Sequence, residues 1–137
     1  GSIWTDYGGV PGVELMVPYL YSEGVRKGRI TLERMVQLVS SEPARFFGCG
    51  RRKGRLEPGF EADFCVLDAD EEWTVKPEGL HNLNRYTPFA GRTFTGRVVS
   101  TVLRGRTAFE RRSDGSEVFA APGTGRFVKR EERVPRT

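Results

Sequence analysis

The sequence predicts an α+β fold in which three helices come first and a set of short strands follows. Before residue 50 the apolar side chains recur at spacings of three and four, the period of a helix that is buried on one face. After residue 50 short β-prone runs alternate with turn residues. The helices have wide apolar faces but no sheet within their own half of the chain. We therefore expect this half to pack against protein that lies outside these 137 residues.

The first predicted helix begins after Pro11 and Gly12. Pro18 lies within it and removes one backbone hydrogen bond, so we expect a kink there. Gly24 and Gly28 are expected to end the helix. Its predicted apolar face, at spacings of three and four, comprises Val13, Met16, Val17, Leu20 and Tyr21.

Two further helices are predicted before residue 50. Thr31 is a favourable N-cap for the second, whose apolar stripe runs from Leu32 through Met35 and Val36 to Val39. The third is short and has Pro43 in its first turn, where the missing donor costs nothing. We expect Phe46 and Phe47 to be buried and Gly48 to end this helix.

The second half of the chain predicts an antiparallel sheet. A buried strand is expected at residues 64–67, a further β-prone run at 73–75, and the strongest strand at 98–103. Arg104 and Gly105 are typical of the turn in a hairpin, with a return strand at 106–109. A weak strand is predicted at 118–119.

Composition excludes several classes of function. The net charge is +4, but acidic residues interleave with the basic ones, so we expect no nucleic-acid binding. No apolar run approaches the roughly 20 residues that span a bilayer, so we expect no membrane insertion. Cys49 and Cys65 form no CxxC pair, which favours reduced thiols and a cytoplasmic location.

The chain contains too few ligands for a metal centre. His81 is its one histidine, and it lies in a polar segment where a structural role is expected. A dinuclear zinc site needs several converging nitrogen and oxygen ligands. A Ser–His–Asp triad would have to use the same histidine. We therefore expect no catalytic residue and no metal ligand in this segment.

Two weaker patterns leave alternatives open. Gly8 and Gly9 precede the first helix, where their amides could face an anion or a carbonyl oxygen. The alternative is a tight turn, which the residues alone favour. Asp63 and Asp68 flank the first strand and could form an acid–base pair. Aspartates at strand ends more often bond turn amides, so a structural role is expected for Asp63.

Seven segments together resemble one family. They are GVPGVE at 9–14, KGRITLE at 27–33, SEPARFFG at 41–48, KGRLEPGFEADF at 53–64, YTPFAG at 86–91, GRVVSTVLRG at 96–105 and GTGRF at 123–127. Their order and spacing resemble the carboxy-terminal third of the cyclic amidohydrolases: dihydroorotase, hydantoinase (dihydropyrimidinase) and allantoinase. Each motif alone is weakly specific, but the seven in order are specific for the group.

The resemblance implies a fold and a division of the chain. Residues 1–50 would be the post-strand loop, the last helix and the linking helices of a (β/α)8 barrel. Residues 51–112 would be the carboxy-terminal share of a β-sandwich built from both chain ends. Residues 113–137 would form an extended tail, either disordered or lying on a neighbouring subunit of a homo-oligomer.

The resemblance also implies an activity. Such enzymes hydrolyse a C–N bond of a cyclic amide or imide with two zinc ions, whose ligands would lie upstream of this segment. Backbone groups at Gly8 and Gly9 would contact the substrate ring, and Glu14 would form a structural ion pair. The fragment alone would be inactive. Two other hypotheses stay open: a non-catalytic scaffold relative of dihydropyrimidinase or dihydroorotase, and an independent small binding module.

Overall fold

The structure, a computed structural model, describes residues 9–83 and 86–130 of the chain. The α+β order predicted from the sequence is confirmed. The elements are α1 (Val13–Tyr19), a π-helical segment (Leu20–Val25), α2 (Leu32–Val39), α3 (Ser41–Phe46), β1 (Phe64–Thr74), a 3-10 turn (Pro77–Gly79), β2 (Thr93–Leu103), β3 (Arg106–Arg111) and β4 (Glu117–Phe119).

The helices begin and continue as their local chemistry requires. Thr31 caps α2, since its hydroxyl accepts a 3.2 Å hydrogen bond from the Arg34 amide. Pro18 lies inside α1 and has no N–H to donate. After Tyr19 the chain continues with π-helical geometry through Val25, and the kink expected at Pro18 stays a prediction.

The predicted apolar faces of the first two helices are buried only in part: Tyr21 is buried, Val17 and Leu20 are half-buried, and Val13 and Met16 are exposed. In α1 the buried side chains are Leu15 and Pro18, whereas Val13 is 89% exposed. In α2 only Met35 is buried, and Val36 is 50% exposed. The sheet covers the Leu15 side of α1, whereas Val13 and Met16 stay exposed in the described part of the chain.

The prediction that Phe46 and Phe47 are buried is wrong for the described chain. Their side chains are 77% and 67% exposed, respectively. They contact each other edge to face, with ring centroids 5.1 Å apart. Because α3 follows directly on α2 at the edge of the described fold, no layer of protein lies over these rings.

Four antiparallel strands form one sheet in the order β1-β2-β3-β4. The predicted hairpin is confirmed, since Arg104 and Gly105 join β2 to β3 with φ of 49° and 75°. Positive φ at both positions is typical of the turn that matches strand twist. The runs predicted at 64–67 and 73–75 form one strand, β1, whose pairing with β2 is irregular between Asp68 and Glu72.

The prediction of a buried strand at 64–67 is wrong for the described chain. Phe64 is 38% exposed and Val66 is 45% exposed. Side chains alternate between the two faces of a sheet, and no second sheet lies over the outer face within residues 9–83 and 86–130. The composite sandwich therefore stays a prediction. The weak strand predicted at 118–119 is present as β4, so the sheet extends beyond residue 112, where the predicted tail begins.

An aromatic core joins α1 to the sheet. Leu15, Val75 and Phe94 are each 1% exposed. The partly buried side chains that pack against them are Tyr19, Trp73, Leu80 and Phe89. Tyr19 comes from α1 and Phe94 from β2, with ring centroids 5.9 Å apart. This core fixes the position of α1, and hence of the glycine-rich segment that precedes it.

Candidate functional site

The glycine-rich segment before α1 is the part of the described chain where a substrate contact was predicted. Gly9 is exposed, and a Cβ atom added to it would have no neighbour within 4 Å. Gly12 occupies the N-cap position of α1. Gly8, the other predicted contact, lies outside the described residues. The backbone at Gly9 is open to approach, and its predicted contact with substrate stays a prediction.

Glu14, in the first turn of α1, bonds to His81. One carboxylate oxygen accepts a 2.9 Å hydrogen bond from the backbone amide of His81, and the other lies 2.8 Å from its Nδ1 atom. His81 follows the 3-10 turn at Pro77–Gly79, 67 residues further along the chain. The pair ties the start of α1 to the segment between β1 and β2. The structural role predicted for Glu14 stays a proposal.

His81 also contacts the far edge of the sheet. Its Nε2 atom lies 2.8 Å from a carboxylate oxygen of Glu117 in β4. The other oxygen of Glu117 pairs with the guanidinium of Arg111 in β3. The rings of Phe109 and Phe119 flank the imidazole, with centroids 6.0 and 4.9 Å away. One histidine thus connects α1 with the β3–β4 hairpin.

The pKa of His81 reflects these two carboxylates. Partial burial alone would lower this pKa, but the hydrogen bonds to Glu14 and Glu117 outweigh it and raise the pKa above its ordinary value of 6.5. A histidine whose pKa is higher in the folded than in the unfolded state adds to the free energy of unfolding. This contribution is fully present when the pH is below the pKa of the unfolded state. This contribution is lost as the pH rises through the folded pKa.

A groove of about 530 Å³ lies between α1 and the sheet, next to this network. Its walls are mostly apolar. Residues that contribute to it include Val13, Val17, Pro18, Leu80, Val98 and Phe119. Arg97 also lines the groove. Its guanidinium carbon lies 4.6 Å from the centroid of the Trp73 ring, and the guanidinium forms a 2.9 Å ion pair with Glu71. Glu14, His81 and Arg111 of the network above also line the groove, and the hydrogen bonds described there engage them with one another and with Glu117.

Asp63 lies in a second network, at the entry to β1. One carboxylate oxygen accepts a 2.7 Å hydrogen bond from the backbone amide of Arg104, in the β2–β3 turn. The other pairs with Lys53, whose ammonium also lies 2.6 Å from Glu61. Partial burial would raise the pKa of Asp63, but the bonds from Lys53 and the Arg104 amide outweigh it and lower the pKa.

Asp68, the other aspartate that flanks the first strand, accepts hydrogen bonds from the backbone amides of Asp70 and Glu71.

Replacing Asp63 with alanine is expected to lower the free energy of unfolding by about 1–2 kcal/mol at neutral pH, because the Arg104 amide and Lys53 lose their acceptor. The pKa of Asp63 is lowered on folding, so its contribution is present above the unfolded pKa and is lost as the pH falls through the folded pKa. Urea unfolding of both proteins at neutral and acidic pH should show the difference shrinking in acid. Glu57→Ala, in an exposed 3.5 Å pair with Arg55, is the control and should cause no measurable change.

The described chain offers no metal centre. Among residues 9–83 and 86–130, no group of three or more histidine, cysteine, aspartate or glutamate side chains is arranged to hold a metal ion. His81 has its two ring nitrogens directed at different carboxylates rather than at a common point. Of the helices in the same part of the chain, none is long and apolar enough to cross a membrane.

The long-range partners of His81 could not be predicted from the sequence. Glu117 and Arg111 belong to none of the seven motif segments, and Glu117 lies 36 residues from His81 along the chain. Only the pairing of β3 with β4 brings Glu117 into reach. Lys53, by contrast, lies within the same motif as Asp63, so the presence of both a basic and an acidic residue there was a usable signal.

Comparison with known proteins finds relatives that match most of the chain. The family model described as "Amidohydrolase family" matches residues 21–109. D-phenylhydantoinase of Escherichia coli O1:K1 is 42% identical over 127 residues, which cover 93% of this chain and 27% of the relative. D-phenylhydantoinase of Escherichia coli strain K12 shows the same identity and coverage.

Solved structures of hydantoinases share this fold. L-hydantoinase (dihydropyrimidinase) from Arthrobacter aurescens matches with a TM-score of 0.83 and 36% identity, over 94% of this chain and 28% of that one. D-hydantoinase from a Bacillus sp. AR9 matches with a TM-score of 0.75 and 38% identity, over 83% of this chain and 24% of that one. The chain thus spans about a quarter of the length of these relatives.

Proposed function

Since this chain belongs to the amidohydrolase family, we propose that it forms the carboxy-terminal part of a hydantoinase-type cyclic amidohydrolase. Such an enzyme hydrolyses a C–N bond of a cyclic amide or imide. The observation that carries the proposal is the 42% identity to D-phenylhydantoinase across 93% of the chain. The relatives named above are hydantoinases or dihydropyrimidinases, which favours hydantoin and dihydropyrimidine rings over dihydroorotate and allantoin as substrates.

The zinc ions that this activity implies do not fit the described residues. The one histidine is held by two carboxylates, and no cluster of three potential ligands exists among residues 9–83 and 86–130. We propose that both ions are bound by the part of the enzyme upstream of this chain, so that the chain alone hydrolyses nothing. The apolar side chains exposed on α1, α2 and α3 support the presence of such a covering part.

The contribution of this chain would be structural and positional. The segment at residues 9–12 leads directly into α1, whose place on the sheet is set by the core around Leu15 and Phe94. Backbone groups at Gly8 and Gly9 would then be presented to the substrate ring from a fixed helix. We further propose that the whole enzyme is a cytoplasmic homo-oligomer.

The test is the intact mass, zinc content and hydrolytic activity of the protein purified from its source. We expect a chain, or a complex, well above 15.4 kDa that contains zinc and hydrolyses hydantoins or dihydropyrimidines. A zinc-free species of 15.4 kDa would contradict the proposal and would favour the alternative hypothesis of an independent small binding module. A larger, folded protein without zinc and without hydrolysis would instead identify a non-catalytic scaffold.

A further inference from the structure

The His81 ring lies between two hydrogen-bond acceptors, the carboxylates of Glu14 and Glu117. Its Nδ1 and Nε2 atoms each lie 2.8 Å from a carboxylate oxygen, one of Glu14 and one of Glu117. A carboxylate can only accept, so both ring nitrogens must carry a proton if both contacts are to be hydrogen bonds. A neutral imidazole has a single N–H. One of its nitrogens would then present a lone pair to a carboxylate.

We propose that His81 is a positioning residue whose protonated ring clasps α1 to the β3–β4 hairpin and so fixes the segment at residues 9–12. Protonation is part of the clasp, because the link between the two elements needs both ring N–H groups at once. On deprotonation one of the two bonds is replaced by repulsion between lone pairs. The backbone amide of His81 still bonds Glu14 at 2.9 Å, so the segment around His81 stays attached to α1 at least by this bond.

The charges around the ring balance only in the protonated state. Glu14 faces it from α1 and Glu117 from β4, while Arg111 of β3 pairs with Glu117. Arg97 of β2, which lines the same groove, is paired with Glu71. Two carboxylates, one guanidinium and one imidazolium sum to zero, whereas a neutral ring leaves one uncompensated negative charge. The three side chains are 23–40% exposed, so solvent screening weakens but does not remove this imbalance.

The clasp acts on the candidate substrate segment through a short path. Gly12 is the N-cap of α1 and Glu14 is two residues further on, in the first turn. Movement of the α1 terminus therefore displaces residues 9–12. An effect of this movement on substrate binding would follow only if the proposed function is correct. The contact of His81 with Glu14 and Glu117 does not depend on the proposed function.

The experiment combines an NMR titration with hydrogen exchange on the full chain. His81 is the only histidine in the sequence, so its ring signals report its protonation without overlap. We expect a pKa above 6.5 and, on going from about pH 5.5 to about pH 8.5, a loss of about tenfold in the amide protection of α1 and β4 after correction for intrinsic exchange. Amide protection that does not follow the titration of His81 would overturn the proposal.

Two variants separate a proton-dependent clasp from a merely structural contact. Glu117→Gln offers an amide N–H to a neutral Nε2 and an oxygen to Arg111, so the protection of α1 and β4 should no longer depend on the protonation of His81. His81→Gln should lower this protection at both pH values and abolish its pH dependence. Lys27→Gln, which breaks an exposed 2.8 Å pair with Glu23, is the matched control and should keep the pH dependence of the parent chain.

Retention of the pH dependence in His81→Gln would contradict the clasp, as would an unchanged dependence in Glu117→Gln. Hydrogen exchange does not require catalysis, so failure of the clasp and failure of the proposed function give different results. If the clasp holds and the assembled enzyme is active, His81→Gln should raise the KM more than it lowers the kcat, since it loosens a segment that would bind the substrate.

Discussion

Replacing Phe94 with alanine is expected to lower the free energy of unfolding by about 3–5 kcal/mol. Phe94 is 1% exposed, and its ring contacts those of Tyr19, Trp73 and Phe89 at centroid distances of 5.8 to 6.0 Å. Truncation leaves a cavity between α1 and the sheet and removes three ring contacts together. Such a loss is a large share of the roughly 5–15 kcal/mol that holds a typical domain together. Urea unfolding followed by tryptophan fluorescence measures it.

The control for this prediction is Phe127→Ala. The Phe127 side chain is 90% exposed in the described chain, so its removal should change stability by less than about 0.5 kcal/mol. If both substitutions have equally small effects, the aromatic cluster is not the core that joins α1 to the sheet, and the position assigned to α1 is wrong.

Replacing Gly96 with alanine should destabilise the chain by about 3 kcal/mol, from strain and overpacking together. Gly96 lies in β2 with φ of +96°, a conformation that side chains with a Cβ rarely adopt. A Cβ atom there would lie 2.4 Å from the ring of Tyr21, which belongs to the π-helical segment. The backbone of Gly96 also accepts a 3.0 Å hydrogen bond from the indole N–H of Trp73, so little movement is available.

Gly59→Ala separates the cost of backbone strain from the cost of overpacking against Tyr21. Gly59 has a similar φ of +93°, but an added Cβ would have no neighbour within 4 Å. This variant should therefore show only the cost of the backbone conformation, about 1 kcal/mol. Equal losses in the two variants would show that Tyr21 does not pack against β2 as described.

Local chemistry made much of the fold predictable. The N-cap at Thr31, the turn at Arg104 and Gly105, and the short strand near residue 118 depend on residues that are close in sequence. In each case the signal and its structural consequence lie within a few positions of one another. The change from α to π geometry at Leu20, two residues after Pro18, was not predicted.

Burial was harder to predict, because it depends on what lies across an element. The apolar period of α2 is regular, yet only Met35 is buried in the described chain. The same holds for Phe46 and Phe47. Periodicity shows that a face is apolar and cannot show which protein covers it. These exposed faces are what a chain spanning about a quarter of its relatives would present.

The candidate site was predictable only in part. The lone histidine and the absence of ligand pairs in the sequence are the reason for predicting no metal ligand in this segment. The sequence did not indicate that His81 would meet Glu14 and Glu117, because those contacts span 67 and 36 residues. Such contacts arise from the docking of α1 on the sheet and from the pairing of β4. Gly8, the other predicted substrate contact, lies outside the described residues.

The most direct test of the central proposal is a chimera. The matching quarter of Escherichia coli D-phenylhydantoinase would be replaced by this chain, and the hydrolysis of a hydantoin would be measured beside the same enzyme lacking that quarter. We expect the truncated enzyme to be inactive and the chimera to recover hydrolysis, because this chain supplies α1, its preceding segment and the sheet. A chimera that folds but shows no hydrolysis would contradict the assignment of this chain to a hydantoinase-type enzyme.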